Sequence, residues 1–248
     1  MDAKQILRVL AVCSAVMCGS ANAGIVSYSS NVEIISPPAS VALGQLESDD
    51  KIRVFRESTK TLASALSVDG VVAGIYPSIG CAGCVSLASG TTVTSFFFHT
   101  DPVGASTLAV PYSASVTFDT DILGVIYESF AFKFNENFQL VEANTLRSSD
   151  PILGSLSTTY PGASSSDSNY RGFERGACGV STADCITVSE DRRTVTLSWS
   201  TAEFSDQMRV IVSGEEPTSV PIPGTIALLG LGLVGIGAAR CNPKQRGA

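Results

Sequence analysis

The middle of the chain alternates apolar and polar residues with the two-residue period of half-buried β-strands. Within Thr194–Ser200, Val195, Leu197 and Trp199 fall on one side, and hydroxyl side chains fall on the other. Ser113–Phe118 repeats the alternation with Ala114, Val116 and Phe118. The same reasoning predicts strands at Ile52–Arg56, Leu62–Val68, Gly70–Tyr76, Thr91–His99, Ile122–Tyr127, Ile186–Ser189 and Gln207–Ser213.

Turn residues separate these strands, and segments with a helical period are nearly absent. Glu190–Arg193 is a predicted hairpin turn, Val141–Leu146 a predicted helical turn, and Ser155–Asn169 a predicted long exposed loop. Many short strands with regular turns favour an all-β fold, an antiparallel β-sandwich of jelly-roll type. We assign this domain to residues 24–214 and expect a signal helix before it and an apolar helix after it.

The end of the chain has a different pattern. Residues 215–225 form an extended, proline-bearing linker, residues 226–239 are uniformly apolar, and residues 240–248 carry Arg240, Lys244 and Arg246. As a helix the apolar run is about 21 Å long at ~1.5 Å per residue, which is shorter than a hydrocarbon core of ~30 Å. The pattern predicts a marginal anchor that tethers the C-terminus to the inner membrane temporarily.

The start of the chain has the features of a secretory signal peptide. Residues 1–23 combine Lys4 and Arg8, a largely apolar stretch, and the small residues Ala21 and Ala23 on either side of Asn22. Cleavage by signal peptidase is therefore predicted between Ala23 and Gly24.

The tail resembles a known sorting signal. The residues that carry the resemblance are Val220, Pro221, Ile222, Pro223, Thr225, the Leu/Gly run 228–233 and the basic finish. They are similar to the PEP-CTERM signal of Gram-negative bacteria, from which the chain departs by having Ile222 in place of glutamate and Cys241-Asn242-Pro243 within the basic cluster. The resemblance implies processing by exosortase and export in a species that makes exopolysaccharide.

More loosely, four segments of the predicted domain resemble uncharacterised exported proteins with such tails: Ile52–Glu57, His99–Gly104, Ser115–Asp119 and Asp206–Ile211. That group has no activity that can be carried over to this chain.

Charge narrows the choice of partners. The chain has 16 basic and 23 acidic residues, of which two basic and one acidic lie in residues 1–23 and three basic in residues 220–248. Residues 24–219, the predicted mature chain, therefore contain 11 basic and 22 acidic side chains, a net charge of −11. Such a balance argues against nucleic acid and against anionic membrane surfaces as partners.

Four cysteines remain in the predicted domain: Cys81, Cys84, Cys178 and Cys185. An even number in an exported chain indicates disulfides, and we favour the local pairs 81–84 and 178–185 among three connectivities. A zinc site of four thiolates is the alternative, but six residues separate the second pair, more than zinc ribbons use. A redox-active Cys81–Cys84 lacks the expected helix, because a strand follows.

Candidate chemistry is sparse, and we predict no catalytic residue and no cofactor. His99, the only histidine, has no G-x-S-x-G partner motif and is interpreted as a strand end. Asp119 and Asp121 would share a strand face, which makes them weak candidates for Ca²⁺, although solvated turn acids are the favoured interpretation. Arg171–Arg175 is interpreted as a strand entry with an exposed ion pair rather than a ligand loop.

Three functions fit these observations. The preferred one is a non-catalytic structural or adhesive protein of the cell surface or extracellular matrix, associated with exopolysaccharide. The runner-up is a carbohydrate-binding sandwich, which would require exposed rings such as Tyr76, Tyr112, Tyr127 or Tyr170. A hydrolase of matrix polysaccharides is the third, and it would require acids gathered in a cleft.

Overall fold

The computed structural model describes residues 24–77, 85–104, 108–128, 131–134, 140–143, 145–161, 171, 178, 184–202 and 204–214. These residues are mostly β, as the sequence predicts. The strands are β1 Ile25–Tyr28, β2 Val32–Ile34, β3 Ser48–Thr61, β4 Leu66–Val68, β5 Gly74–Pro77, β6 Val85–Leu87, β7 Thr92–Asp101, β8 Val110–Phe118, β9 Ile122–Ile126, β10 Ala131–Phe134, β11 Leu140–Ala143, β12 Cys185–Val188, β13 Thr194–Thr201 and β14 Asp206–Ser213, and the helix α1 is Thr145–Leu153.

Ten of the described strands form two five-stranded sheets. The first sheet has the order β1-β8-β13-β12-β5, and the second has the order β2-β3-β7-β14-β9. Two further ladders, β10-β11 and β4-β6, have two strands each. The pairing is antiparallel throughout except between β2 and β3, where Val32 lies opposite Ile52 in a parallel register. The predicted antiparallel pairing is therefore confirmed, with one parallel pair at this edge of the second sheet.

Both sheets contribute to one hydrophobic cluster. The first sheet supplies alternate residues of β8, β12 and β13, including Val116, Leu197 and Trp199, and the second supplies residues such as Phe98 and Val210. Because successive side chains of a strand point to opposite faces, these alternating residues share a single side of each sheet. The half-buried pattern of β8 and β13 follows from this arrangement.

The second sheet also buries its other face. Phe55, Phe97 and Ile211 on that face pack in a second cluster with Leu146 and Leu153 of α1. Consequently β7 and β14 are buried almost from end to end rather than at every second residue. The run of three phenylalanines at residues 96–98 has this explanation, since neighbouring rings enter different clusters.

The predicted strands are confirmed with shifted ends, but only Leu66–Val68 of the segment 62–68 and only the part from Gly74 of the segment 70–76 are strand. Strand β3 is considerably longer than expected, at 14 residues. The hairpin turn at 190–193 is confirmed too, because β12 pairs with β13 and the Ser189 amide donates to the Thr194 carbonyl at 2.9 Å. The helical turn predicted at 141–146 is misplaced: residues 140–143 are strand β11, and the helix begins at Thr145. Pairing of β11 with β10, a tertiary contact, decides this boundary.

The loop predicted at 155–169 is not wholly exposed. Thr158 is buried, and the hydroxyl of Tyr160 reaches Glu57 of β3 at 2.6 Å. The first part of this segment therefore helps to cover the second sheet.

Within the described part of the chain, no helix has the length and apolar character needed to cross a membrane. The predicted signal helix, within 1–23, and the predicted anchor helix at 226–239 lie outside the described residues.

Candidate functional site

Polar side chains gather on the covered face of the second sheet, beneath α1 and the segment 155–161. We call this group the buried polar cluster. It consists of Glu57, Ser95, His99, Ser149, Asp150, Tyr160, Arg171, Gln207 and Arg209. Strands β3, β7 and β14 carry five of these residues on one face of the sheet, because the strand registers place them side by side.

Arg209 is the centre of the cluster and is fully buried. Its Nε and Nη2 donate to the two oxygens of Glu57 at 2.8 and 2.9 Å. Nη2 also donates to Asp150 at 2.7 Å, and Nη1 donates to the Leu146 carbonyl and the Ser149 hydroxyl, both at 2.8 Å. These bonds use the full donor capacity of a guanidinium. Burial opposes its charge, but the attraction of Glu57 and Asp150 prevails and raises the pKa of Arg209.

Glu57 is equally well satisfied. Besides the fork from Arg209, it accepts hydrogen bonds from the Ser95 hydroxyl at 2.5 Å and the Tyr160 hydroxyl at 2.6 Å. Burial and then the adjacent Glu57 charge raise the pKa of Tyr160, so this phenol remains a donor at neutral pH. A buried carboxylate with a bidentate partner and two hydroxyl donors meets the conditions under which a charge is tolerated inside a protein.

Arg171 supplies the second cation. It donates to Asp150 at 2.6 and 3.2 Å, to the Pro161 carbonyl at 3.1 Å and to Gln207 Oε1 at 2.5 Å. Both guanidinium groups also lie near aromatic rings: Arg209 Cζ is 5.0 Å from the Phe97 ring centre, and Arg171 Cζ is 5.7 Å from that of Tyr160. Two arginines and two carboxylates leave the cluster electrically balanced.

His99 extends the network through Gln207. Since Gln207 Oε1 accepts from Arg171, its Nε2 is the donor to His99 Nδ1 at 3.0 Å. The neutral imidazole therefore carries its proton on Nε2, which faces Asp101 Oδ2 at 3.9 Å. Asp101 Oδ2 in turn accepts from the Gly44 amide at 2.6 Å. His99 and Asp101 are thus part of a covered strand end, with no exposed surface on the ring.

This environment predicts a pH-dependent stability. Burial lowers the pKa of His99 below its ordinary value of 6.5, although Asp101 opposes the shift. Below pH ~6.5 His99 is protonated in the unfolded chain but stays neutral in the folded chain. The free energy of unfolding is therefore expected to fall with decreasing pH by up to about 1.4 kcal/mol per pH unit. This decrease stops once the pH reaches the pKa of His99 in the folded protein.

Since the chain has one histidine, its ring resonance in an NMR titration reports this pKa without ambiguity. The His99→Gln variant, unfolded in urea between pH 5 and 7, serves as the control and should show a shallower pH dependence. A ring that titrates at or above 6.5 in the folded protein would contradict the prediction.

The acids proposed for calcium lie elsewhere. β8 ends at Phe118, so the premise that Asp119 and Asp121 continue one strand face is wrong, and both lie exposed in the turn before β9. Asp121 is 3.4 Å from Arg193 Nε. Among the described residues, no group of three or more His, Cys, Asp or Glu side chains is arranged to hold a metal ion.

The rings proposed as a sugar platform are in the wrong place. Tyr76, Tyr112 and Tyr127 are all buried, and each belongs to the cluster between the two sheets. Tyr170 lies outside the described residues. Alternation along β8 already places Tyr112 on the side of Ala114 and Val116, which is a signal for burial.

The cysteines at 178 and 185 form a disulfide, which is the local pair that the sequence favours. This bond excludes a zinc site of four thiolates. Cys81 and Cys84 lie outside the described residues, as do Ala21 and Ala23 and the sorting motif Val220–Pro223. Gly24, the first described residue, has a positive φ of 115°.

Arg171 corrects the interpretation of 171–175 as an exposed ion pair, since its side chain is only 1% exposed and its carboxylate partner is Asp150. The sequence reasoning also missed Glu57 and Arg209. The available signal was charge inside strands that are otherwise apolar, as in Met208-Arg209-Val210. The face of β14 that carries Arg209 and Ile211 is covered by α1.

Unlike the covered face of the second sheet, the outer face of the first sheet carries serine and threonine side chains, and we call it the hydroxyl face. Its outward residues are Ser113, Ser115, Thr117, Thr187, Thr194, Thr196 and Ser198, all exposed or half-buried. They stand in register across three strands: Thr196 lies opposite Ser115 on one side and Thr187 on the other. The Thr117 and Thr194 hydroxyls are 3.0 Å apart.

Comparison of the chain with protein-family models, with curated proteins and with solved structures finds no match.

Proposed function

We propose that this chain is an exported protein of the cell surface or extracellular matrix, with a structural or adhesive role and no catalysis, whose domain is a jelly-roll-like β-sandwich. The observation that carries the proposal is the tail, in which Val220–Pro223, the apolar run 226–239 and the basic residues 240–248 follow one another. Their likeness to a PEP-CTERM signal supports processing by exosortase after passage through the inner membrane.

The described domain supports the proposal in two ways. The Cys178–Cys185 disulfide suits an oxidising compartment outside the cytoplasm. Two carboxylates beneath the helix, Glu57 and Asp150, are paired with Arg209. Fully paired charges of this kind hold elements together and are not poised for proton transfer.

Mass spectrometry of the exported protein tests the proposal. We expect a mature N-terminus at Gly24 and loss of the apolar run and the basic residues behind it. A variant with Pro221→Ala and Pro223→Ala should instead keep its tail and stay in the membrane fraction, because the motif that the processing enzyme reads is gone. Secreted wild-type protein that still carries Arg246 would overturn the proposal.

Deleting the gene tests the structural role. Biofilm or floc cohesion in an exopolysaccharide-producing host should fall and should return when the wild-type gene is restored. Unchanged cohesion would count against a matrix role, whatever the tail does.

Carbohydrate binding remains the second candidate. The exposed aromatic surface expected for it is not formed by Tyr76, Tyr112 or Tyr127, because these three rings are buried. A hydrolase is less well supported, because Asp119 and Asp121 are exposed on a turn.

A further inference from the structure

We propose that the hydroxyl face binds neutral polyhydroxyl chains, such as the uncharged segments of a matrix polysaccharide. The inference rests on the proposed function and deepens it, since it assigns the contact with exopolysaccharide to one surface. The argument uses the charge of the first sheet, its regular register and the chemistry of its outward side chains.

The first sheet contains no charged residue. None of β1, β5, β8, β12 or β13 has an Asp, Glu, Lys, Arg or His. In the whole chain 16% of the residues are Asp, Glu, Lys or Arg, and the second sheet has several in β3 alone. A solvated sheet face ordinarily carries charged side chains, so their complete exclusion from five strands requires a reason other than solubility.

The outward hydroxyls form a two-dimensional array. Neighbouring strands are about 4.8 Å apart, and alternate residues of one strand are about 6.8 Å apart. Ser113 and Ser198, Ser115 and Thr196, and Thr117 and Thr194 lie directly opposite each other on β8 and β13. Thr187 continues the middle row onto β12, and the exposed Ile75 continues it onto β5.

A hydroxyl both donates and accepts hydrogen bonds. The hydroxyls of a polysaccharide have the same dual capacity, so an array of this kind pairs with them in many registers. The threonine methyl groups add small apolar areas that suit the C–H faces of sugar rings. Affinity per contact is low, and adhesion to a long polymer then results from the many equivalent positions at which copies of the domain can bind.

Other partners fit this face less well. Nucleic acid and anionic lipid need basic side chains, which all five strands lack. A stable interface with a second copy needs an apolar centre, whereas the centre of this face is Thr196, with Ser115 and Thr187 beside it. A neutral polymer also avoids the repulsion that an acidic polymer would meet from a mature chain of net charge −11.

The test is retention of the purified exported protein on insoluble neutral glucans, microcrystalline cellulose and curdlan, and on exopolysaccharide isolated from the host. We expect the wild type to bind at least one of them. The Thr196→Glu/Ser115→Glu variant should bind at least about tenfold more weakly, because a buried unpaired charge or polar group costs that much or more. The matched control is Ser148→Glu, which adds charge at an exposed serine of α1 and should bind as the wild type does.

Equal retention of the variant and the wild type would overturn the inference, and so would failure of the wild type to bind any of the three polymers. A change in sedimentation with no change in retention would instead identify a surface for self-association and would also overturn it. Circular dichroism of each variant checks that the fold is intact, and Thr196→Ala/Ser115→Ala provides a milder substitution if the glutamates prevent folding.

The same variants separate this inference from the proposed function. In the deletion strain, failure of the wild-type gene to affect cohesion counts against the proposed function. Full restoration by Thr196→Glu/Ser115→Glu leaves the proposed function intact and rejects the hydroxyl face as its contact surface.

Discussion

Replacing Arg209 with alanine is expected to lower the free energy of unfolding by about 3–5 kcal/mol, the usual cost of removing one partner from a buried ion pair. The substitution leaves Glu57 buried with only the Ser95 and Tyr160 hydroxyls as donors. It also removes the cation that ties β14 to Asp150 and to the Leu146 carbonyl of α1. Urea unfolding followed by the fluorescence of Trp199, the single tryptophan, measures the change.

Arg193→Ala is the matched control, because this arginine also faces a carboxylate, Asp121, but both side chains are more than half exposed. Its effect should stay within about 0.5 kcal/mol, since exposed pairs contribute little. The Arg209→Lys variant tests geometry separately from charge. One ammonium cannot span both oxygens of Glu57 and also reach Leu146, so substantial destabilisation should remain. An Arg209→Ala protein as stable as the Arg193→Ala protein would contradict the assignment of Arg209 as the centre of the cluster.

Phe97→Ala is expected to cost a similar amount, about 3–5 kcal/mol, because a large ring is removed from a closed interior. Phe97 is fully buried and packs against Phe55 at 5.3 Å and Tyr160 at 5.4 Å between ring centres. It also lies beneath both guanidinium groups. Phe97 therefore connects the hydrophobic cluster of the second sheet to the buried polar cluster.

Phe97→Leu separates the two contributions, since it keeps most of the apolar volume and loses the ring. A double-mutant cycle of Phe97→Leu with Arg209→Met should give a coupling of about 0.5–2 kcal/mol, the range for cation–π contacts. Zero coupling would show that the ring acts by packing alone. Leu156→Ala, at a fully exposed position of the segment that covers the sheet, should change stability by less than about 0.5 kcal/mol.

Strands with one exposed face were predicted better from the sequence than strands with both faces covered. β8 and β13 were predicted well because one side of each is exposed, so alternation is visible in the sequence. In β7 and β14 both faces are covered, and alternation disappears: Phe96 and Phe97 are neighbours that enter different clusters. The boundary between β11 and α1 was misplaced for a related reason, since strand pairing overrode local preference.

The buried polar cluster could not be predicted for a different reason. Glu57, Asp150, Arg171 and Arg209 are separated by long stretches of chain, and each has a polar character that usually means exposure. Pairing between residues so distant in sequence leaves no local pattern. The registers of β3, β7 and β14, with α1 above them, bring Glu57, Asp150 and Arg209 together. The hydrogen bond from the Gln207 amide to the Arg171 carbonyl adds the fourth residue.

By itself the sequence determined the all-β class, most strand positions and the hairpin at 190–193, and it favoured the pairing of Cys178 with Cys185. These properties depend on residues close together in the chain, where the periodicity of side chains and the residues typical of turns can be recognised directly. The tertiary structure alone decided that the second sheet is covered on both faces, that Tyr76 and Tyr127 are interior, and that the arginines pair beneath a helix. These properties depend on which surfaces meet after folding, and the pattern within one segment does not specify which distant segment will cover it.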